Sequence, residues 1–241
     1  MNNNCDIIIR NGTIVDGTGT NKYIGDIVIL GDTIIDVGPN VASKYNMPNK
    51  QDVDATGKHI IPGWVDAHTH FDAQMHWDPM ISPSSAAGVT TVCMGNCSVS
   101  LAPCPKDLRG FISEICDSIE DIPVSAMKEA VNWNWETWPE YYEELSKRKF
   151  ACDVCSFVGH SAIRTWVLGA RANASDRPNG QIEQPLTPEE IKKVGKVVEE
   201  AVAAGALGVS TSRISVHRDR AGVLLPGSLA SNNELRAVSI L

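Results

Sequence analysis

At 241 residues, 43% hydrophobic and 21% charged, the chain has the composition of a soluble globular protein and is long enough for one large domain or two ordinary ones. Its formal net charge is −8 with basic residues scattered rather than clustered, which argues against a nucleic-acid or anionic-membrane surface. The start Met1 to Asp6 lacks a signal-peptide pattern, no apolar run approaches the roughly 18 residues of a spanning helix, and seven cysteines, an odd count, fit reduced thiols, so a cytoplasmic location is expected.

In chain order, residues 5–60 read as short strands at 6–9, 13–15, 26–30 and 33–37, with turns at Asn11-Gly12, Gly17-Thr18-Gly19 and Gly31-Asp32. This predicts a small all-β unit over 1–59. From residue 60 apolar strands alternate with helical stretches, the pattern of a parallel sheet with crossover helices, and strands are predicted at 59–66, 90–94, 151–158 and 207–211. Residues 106–148 read as helical and hold Trp133, Trp135, Trp138, Tyr141 and Tyr142, an aromatic cluster better explained by packing than by ligand binding. Cys152 and Cys155 form a C-x-x-C with no second pair; in a strand, positions three apart face opposite ways, which predicts two packed thiols. The best-marked helix follows Thr187, with Pro188 at its first position, Glu190 completing a capping box, Ile191, Val194, Val197, Val198, Ala201 and Val202 on one face, and Gly205 ending it.

Chemistry concentrates at two strand ends. His68 and His70 close the first apolar run after Pro62-Gly63, and Cys97 follows the second in Gly95-Asn96-Cys97. In extended chain, residues two apart project to one face, so the two imidazoles can grip one cation, and imidazole with thiolate suits zinc. Zinc lowers the pKa of bound water, the chemistry needed to hydrolyse an unactivated amide. Asp66 and Asp72 flank the histidines and either orient an imidazole or cap a loop. His160 ends a strand as a support for a ligand, a substrate contact or a satisfier of local hydrogen bonds. Arg213, Arg218 and Arg220 bind a substrate carboxylate or line a solvated loop. His76 and His217 read as loop residues.

This ordered set resembles the metal-dependent amidohydrolase superfamily, in its N-acyl-D-amino-acid deacylase (D-aminoacylase) branch. The matching stretches are 8–16 (IIRNGTIVD), 61–72 (IPGWVDAHTHFD), 77–79 (WDP), 88–98 (GVTTVCMGNCS), 157–164 (FVGHSAIR), 205–213 (GALGVSTSR), Pro226-Gly227 and Glu234-Leu235. The histidine pair after Pro-Gly is shared across the superfamily, whereas the cysteine of GNC is narrower. The resemblance implies an α/β fold, the first half of a TIM-like (β/α)8 barrel over 60–241 preceded by part of a small β-sandwich over 1–59. It implies His68, His70 and Cys97 as metal ligands for one or two Zn2+ ions and zinc-dependent hydrolysis of N-acyl-D-amino acids; from the residues themselves, Arg213, Arg218 and His160 are the expected substrate contacts.

A complete barrel takes about 250 residues. The later histidine ligands and the general-base aspartate are therefore expected beyond Leu241, and the chain is expected to be an incomplete N-terminal half that self-associates or needs its missing C-terminal half. Two other readings stand beside this one. A cyclic-amidase relative, of the hydantoinase or dihydroorotase kind, would need a strand-four lysine, and no lysine occurs from Val197 to Leu241. The other is a non-catalytic fragment.

Overall fold

A computed structural model describes residues 4–45, 51–172 and 185–239, and the chain divides into two compact units, 1–63 and 64–241. The first unit is one five-stranded sheet. Strands β1 (Ile7–Ile14), β2 (Tyr23–Leu30) and β3 (Thr33–Gly38) run antiparallel in the order β3-β2-β1, while β4 (Gln51–Asp54) and β5 (His59–Ile60) pair parallel with β1. Ile8 and Val28 bury against Cys5, Val41 and Ala42 to make its small core.

Asn11-Gly12, expected as a turn, lies inside β1. The register shifts between Ile9 and Gly12, and Asn11 takes a φ of 60°. The buried Asp26 carboxylate accepts the Asn11 N–H at 3.0 Å and the Ala42 N–H at 3.2 Å, which converts a local turn signal into a β-bulge that the strand passes through.

The expected strand at 59–66 is also two strands. His59–Ile60 belongs to the first sheet and β6 (Trp64–Asp66) to the second unit. Pro62 has no N–H to continue a ladder, so the chain changes sheets at Pro62-Gly63.

In the second unit β6, β7 (Val89–Met94) and β8 (Asp153–Ser156) form a parallel sheet in that order, and β9 (Val158–Gly159) pairs parallel with β10 (Val209–Ser210). β8 and β9 are one run that changes partner at Phe157, whose N–H still donates to the Met94 carbonyl. Between β7 and β8 lie α1 (Arg109–Glu120), α2 (Val124–Ala130) and α3 (Trp138–Ser146). The expected continuous helix breaks where Asp121 turns left-handed (φ 55°) and Pro123 follows, and again before the Thr137 capping box of α3.

Trp135, Trp138 and Tyr141 bury in the main core with Val92 and Met94 and Trp133 packs against it, while Tyr142 is exposed and stacks on Trp138. After β9 come α4 (His160–Leu168) and α5 (Pro188–Ala203), and α6 (Asn232–Val238) follows β10. Thr187 and Glu190 close the expected capping box of α5, whose Val194, Val198 and Ala201 are buried. Cys152 donates toward the Val89 carbonyl, and Cys155 lies 2.8 Å Sγ to Sγ from Cys93. Among the described residues no helix is long and apolar enough to cross a membrane.

Candidate metal centre

Two neighbouring parallel strands, β6 and β7, end at one place, and the segments that leave them are tied together by backbone geometry. Thr69, between the two histidines, turns inward: its N–H and its hydroxyl both donate to the Cys93 carbonyl, at 2.9 and 2.7 Å. Asn96 Nδ2 donates to the same carbonyl at 2.9 Å and to the Thr69 carbonyl at 3.2 Å. With Thr69 clamped and buried, His68 and His70 project from the outer side of the same short segment.

The segment after β7 is a sharp turn. Gly95, Cys97 and Ser98 have φ values of 74°, 54° and 74°, a left-handed run that costs about 1–3 kcal/mol for each non-glycine residue and persists only where the surroundings hold it. The surroundings do so here. Gly95 N–H donates to Asp72 Oδ2 at 3.0 Å, Ser98 N–H donates to Ser210 Oγ at 3.1 Å, and the Ser210 hydroxyl donates to the Gly95 carbonyl. Cys97 is thereby turned back toward β6.

His68 Nε2 lies 3.1 Å from Cys97 Sγ, and one donor atom from each of His68, His70 and Cys97 falls within 4.8 Å of the others. The histidine rings are 5.4 Å apart and tilted by 58°. The structure therefore brings the three expected ligands together. Burial pushes the Cys97 thiol above its ordinary pKa, and the charge of Glu120 adds to the shift. A cation entering here displaces that proton.

The acidic neighbours divide their roles. Asp66 accepts the His68 N–H at 3.3 Å and so caps the turn. Asp72 is wholly buried, and burial followed by the charge of Glu120 pushes its carboxyl up to about 7. Glu120, from the end of α1, accepts from or donates to His70 Nδ1 at 3.1 Å. Sequence reasoning missed Glu120, because 50 residues separate it from its partner; it missed Thr69 and Asn96 because their partners are backbone carbonyls.

The other candidates lie apart from this cluster. His160 is fully buried, with Nδ1 3.0 Å from Thr211 Oγ1 and Nε2 2.9 Å from Glu234 Oε1, so it satisfies local hydrogen bonds and has no surface to offer a substrate. Arg164 Nη1 completes the network on Glu234 at 2.7 and 2.6 Å. Burial opposes the charged form of Glu234, yet the hydrogen bond from His160 and the charge of Arg164 together hold its carboxyl below the usual range.

Arg218 donates to the Ser215 and Gly222 carbonyls at 2.9 and 2.6 Å, closing its own loop, and Arg220 pairs with Asp117. Arg213 is exposed, with Nε 3.4 Å from the Ser228 carbonyl. His217 is half-buried, with Nδ1 3.0 Å from Ser212 Oγ; burial lowers its pKa and the charge of His70 lowers it further. His76 is no loop residue but is buried and stacked on Trp135, ring centroids 5.2 Å apart.

Residues 51–241 match the Amidohydrolase family, and the chain belongs to it. An uncharacterized protein of Mycobacterium tuberculosis is 34% identical over 206 residues, 85% of this chain and 32% of that protein. A crystal structure of D-aminoacylase superposes with a TM-score of 0.73 at 28% identity, over 97% of this chain and 42% of that one. The N-acyl-D-glutamate deacylase of Bordetella bronchiseptica, solved with zinc and a phosphonate inhibitor, superposes with a TM-score of 0.71 at 26% identity, over 97% and 42%. The match spans 25–38% of the length of the curated relatives.

Proposed function

We propose that this chain carries the zinc-binding face of a hydrolase that cleaves N-acyl-D-amino acids to a carboxylate and a free D-amino acid. The observation that carries the reading is the meeting of His68, His70 and Cys97, donor atoms within 4.8 Å, where two adjacent parallel strands end. The donor set fits zinc: with bonds of about 2.0–2.3 Å, tetrahedral ligand atoms stand roughly 3.5 Å apart, a spacing that side-chain rotation can reach from here. A buried Glu120 oxygen without a hydrogen-bond partner, beside His70, is a further sign of an unfilled charge requirement. The substrate class rests on the likeness to D-aminoacylase and N-acyl-D-glutamate deacylase.

When bound, zinc supplies Lewis acidity and brings the pKa of a coordinated water toward neutrality. The chain's own groups prepare the place. Cys97 ligates as thiolate after losing its proton, while His68 offers Nε2 as a neutral imidazole. Thr69 and Asn96 keep the two strand ends in register, so the three donors do not have to be gathered from a flexible loop. Arg213, exposed after β10, is the proposed contact for the substrate carboxylate.

The test pairs metal content with substrate choice. In a form extended to the length of its relatives, zinc-loaded protein is expected to hydrolyse N-acetyl-D-amino acids in preference to their L enantiomers, and Cys97→Ala to lose both zinc and turnover. Full zinc content and activity in Cys97→Ala would refute the site. Zinc binding accompanied by opening of hydantoin or dihydroorotate rings, with N-acyl-D-amino acids untouched, would transfer the chain to the cyclic-amidase reading.

A further inference from the structure

Next to the three donors the fold buries a carboxylate that ligation itself does not use. Glu120 is the last residue of α1, and the chain leaves the helix through Asp121 in the left-handed region. A helix C-terminus presents unsatisfied carbonyls and partial negative charge, which disfavours a carboxylate there. The Glu120 side chain is also only 2% exposed, and the second buried carboxylate, Asp72, repels it. Against these costs it makes one hydrogen bond, to His70 Nδ1 at 3.1 Å, while Oε2 has no partner. An apolar residue would sit in this position at less cost.

We propose that Glu120 is a positioning residue of the metal centre: it accepts the Nδ1 proton of neutral His70, fixes that tautomer and ring orientation, and leaves Nε2 as the nitrogen presented to the cation. The inference rests on the reading of His68, His70 and Cys97 as ligands. Carboxylates that hold the far nitrogen of a ligating histidine raise its basicity and reduce its freedom, and their loss weakens metal binding roughly 10- to 100-fold. Glu120 and Asp72 also divide the support of the centre. Asp72 holds the Gly95 N–H and with it the turn that carries Cys97, while Glu120 holds a histidine. Each of the two ligand-bearing segments thus has its own buried carboxylate.

The experiment measures the zinc dissociation constant of chain 1–241 by competition with a chromophoric chelator, and the visible spectrum of the cobalt(II) form. Glu120→Met keeps the side chain's length and removes the acceptor. It is expected to retain its near-UV circular dichroism and melting temperature, to bind zinc roughly 10- to 100-fold more weakly, and to shift the cobalt bands. Glu120→Gln, whose amide oxygen can still accept the Nδ1 proton, is expected to recover most of the affinity and the spectrum.

Wild-type affinity and an unchanged cobalt spectrum in Glu120→Met would overturn the proposal while leaving the ligands in place. Should the Met form fail to fold, Glu120→Gln decides through the 15N shifts of His70: the Nδ1–H tautomer in the zinc form supports the role and the Nε2–H tautomer overturns it. If His70→Ala binds zinc as wild type does, the ligand reading itself fails and the proposal falls with it.

Discussion

A Cβ added at Gly95 would sit 2.1 Å from the Phe157 carbonyl oxygen, and the φ of 74° there is one that other residues adopt only under strain. Gly95→Ala is therefore expected to displace the turn that carries Cys97. We expect a stability loss on the order of 2 kcal/mol, read as a lower urea midpoint, together with weakened zinc binding. Unchanged zinc affinity would show that the turn does not set the position of the thiol. His76 gives the residue-scale pH dependence. Burial, with the charge of Arg148 adding to it, pushes its pKa down to about 4, and neither ring nitrogen has a partner. The folded state excludes a proton that the unfolded chain binds near pH 6.5. The stability held by neutral His76 is complete above pH 6.5 and is lost as pH falls through 4, by up to about 3 kcal/mol. His76→Phe, which keeps a ring on Trp135, is expected to flatten urea stability against pH across that window. An unaltered acid limb would assign the sensitivity to other groups.

At the scale of elements, alternation along β7 separates two tasks. Val92 and Met94 enter the core with the helices, while Cys93 faces the other way and meets Cys155, its registered partner on β8. The sulfurs are 2.8 Å apart in a parallel pair. Mild oxidation with diamide is expected to consume two of the seven thiols and to yield one cross-linked pair, Cys93 with Cys155, in peptide mass spectra. Cross-linking of Cys152 instead would mean that the β7–β8 register is shifted. What was legible in advance was that Cys152 and Cys155 are two packed thiols. What could not be read was Cys93 as the partner, because register between strands separated by three helices is a tertiary quantity. The capping box of α5 was likewise legible, since Thr187, Pro188 and Glu190 signal within one turn, whereas the breaks in 106–148 depended on Asp121 leaving the helix and on where the Trp135 ring found room.

At the scale of the molecule, membership of the amidohydrolase family agrees with a candidate ligand set at strand ends of a parallel sheet, since barrel chemistry gathers at that face. Surface composition is less ordinary. On β6, Trp64 is 60% exposed and Val65 62% exposed although they face opposite ways, so neither face of this strand is covered among the described residues. Large apolar side chains left exposed on both sides of a strand promote association. Chain 1–241 is expected to associate with rising concentration in sedimentation velocity, and Trp64→Lys combined with Val65→Thr to shift it toward monomer with zinc stoichiometry unchanged. Association that persists in the double variant would point to another surface, such as Ile24 and Ile34 in the first unit.

By itself the sequence determined what neighbouring residues can specify: the histidine pair with its two-residue spacing, the alternation of strands and helices, and the cap of α5. The tertiary structure decided every assignment that depends on a partner distant in sequence. It passed β1 through Asn11-Gly12 because Asp26 supplied an acceptor, divided 59–66 between two sheets at Pro62-Gly63, and spent His160 on Thr211 and Glu234. It also brought Glu120 to His70 from the far end of a helix. The reason is physical: dihedral preference and capping act within a few residues, while burial and the choice of hydrogen-bond partner are set through space, after the chain has packed.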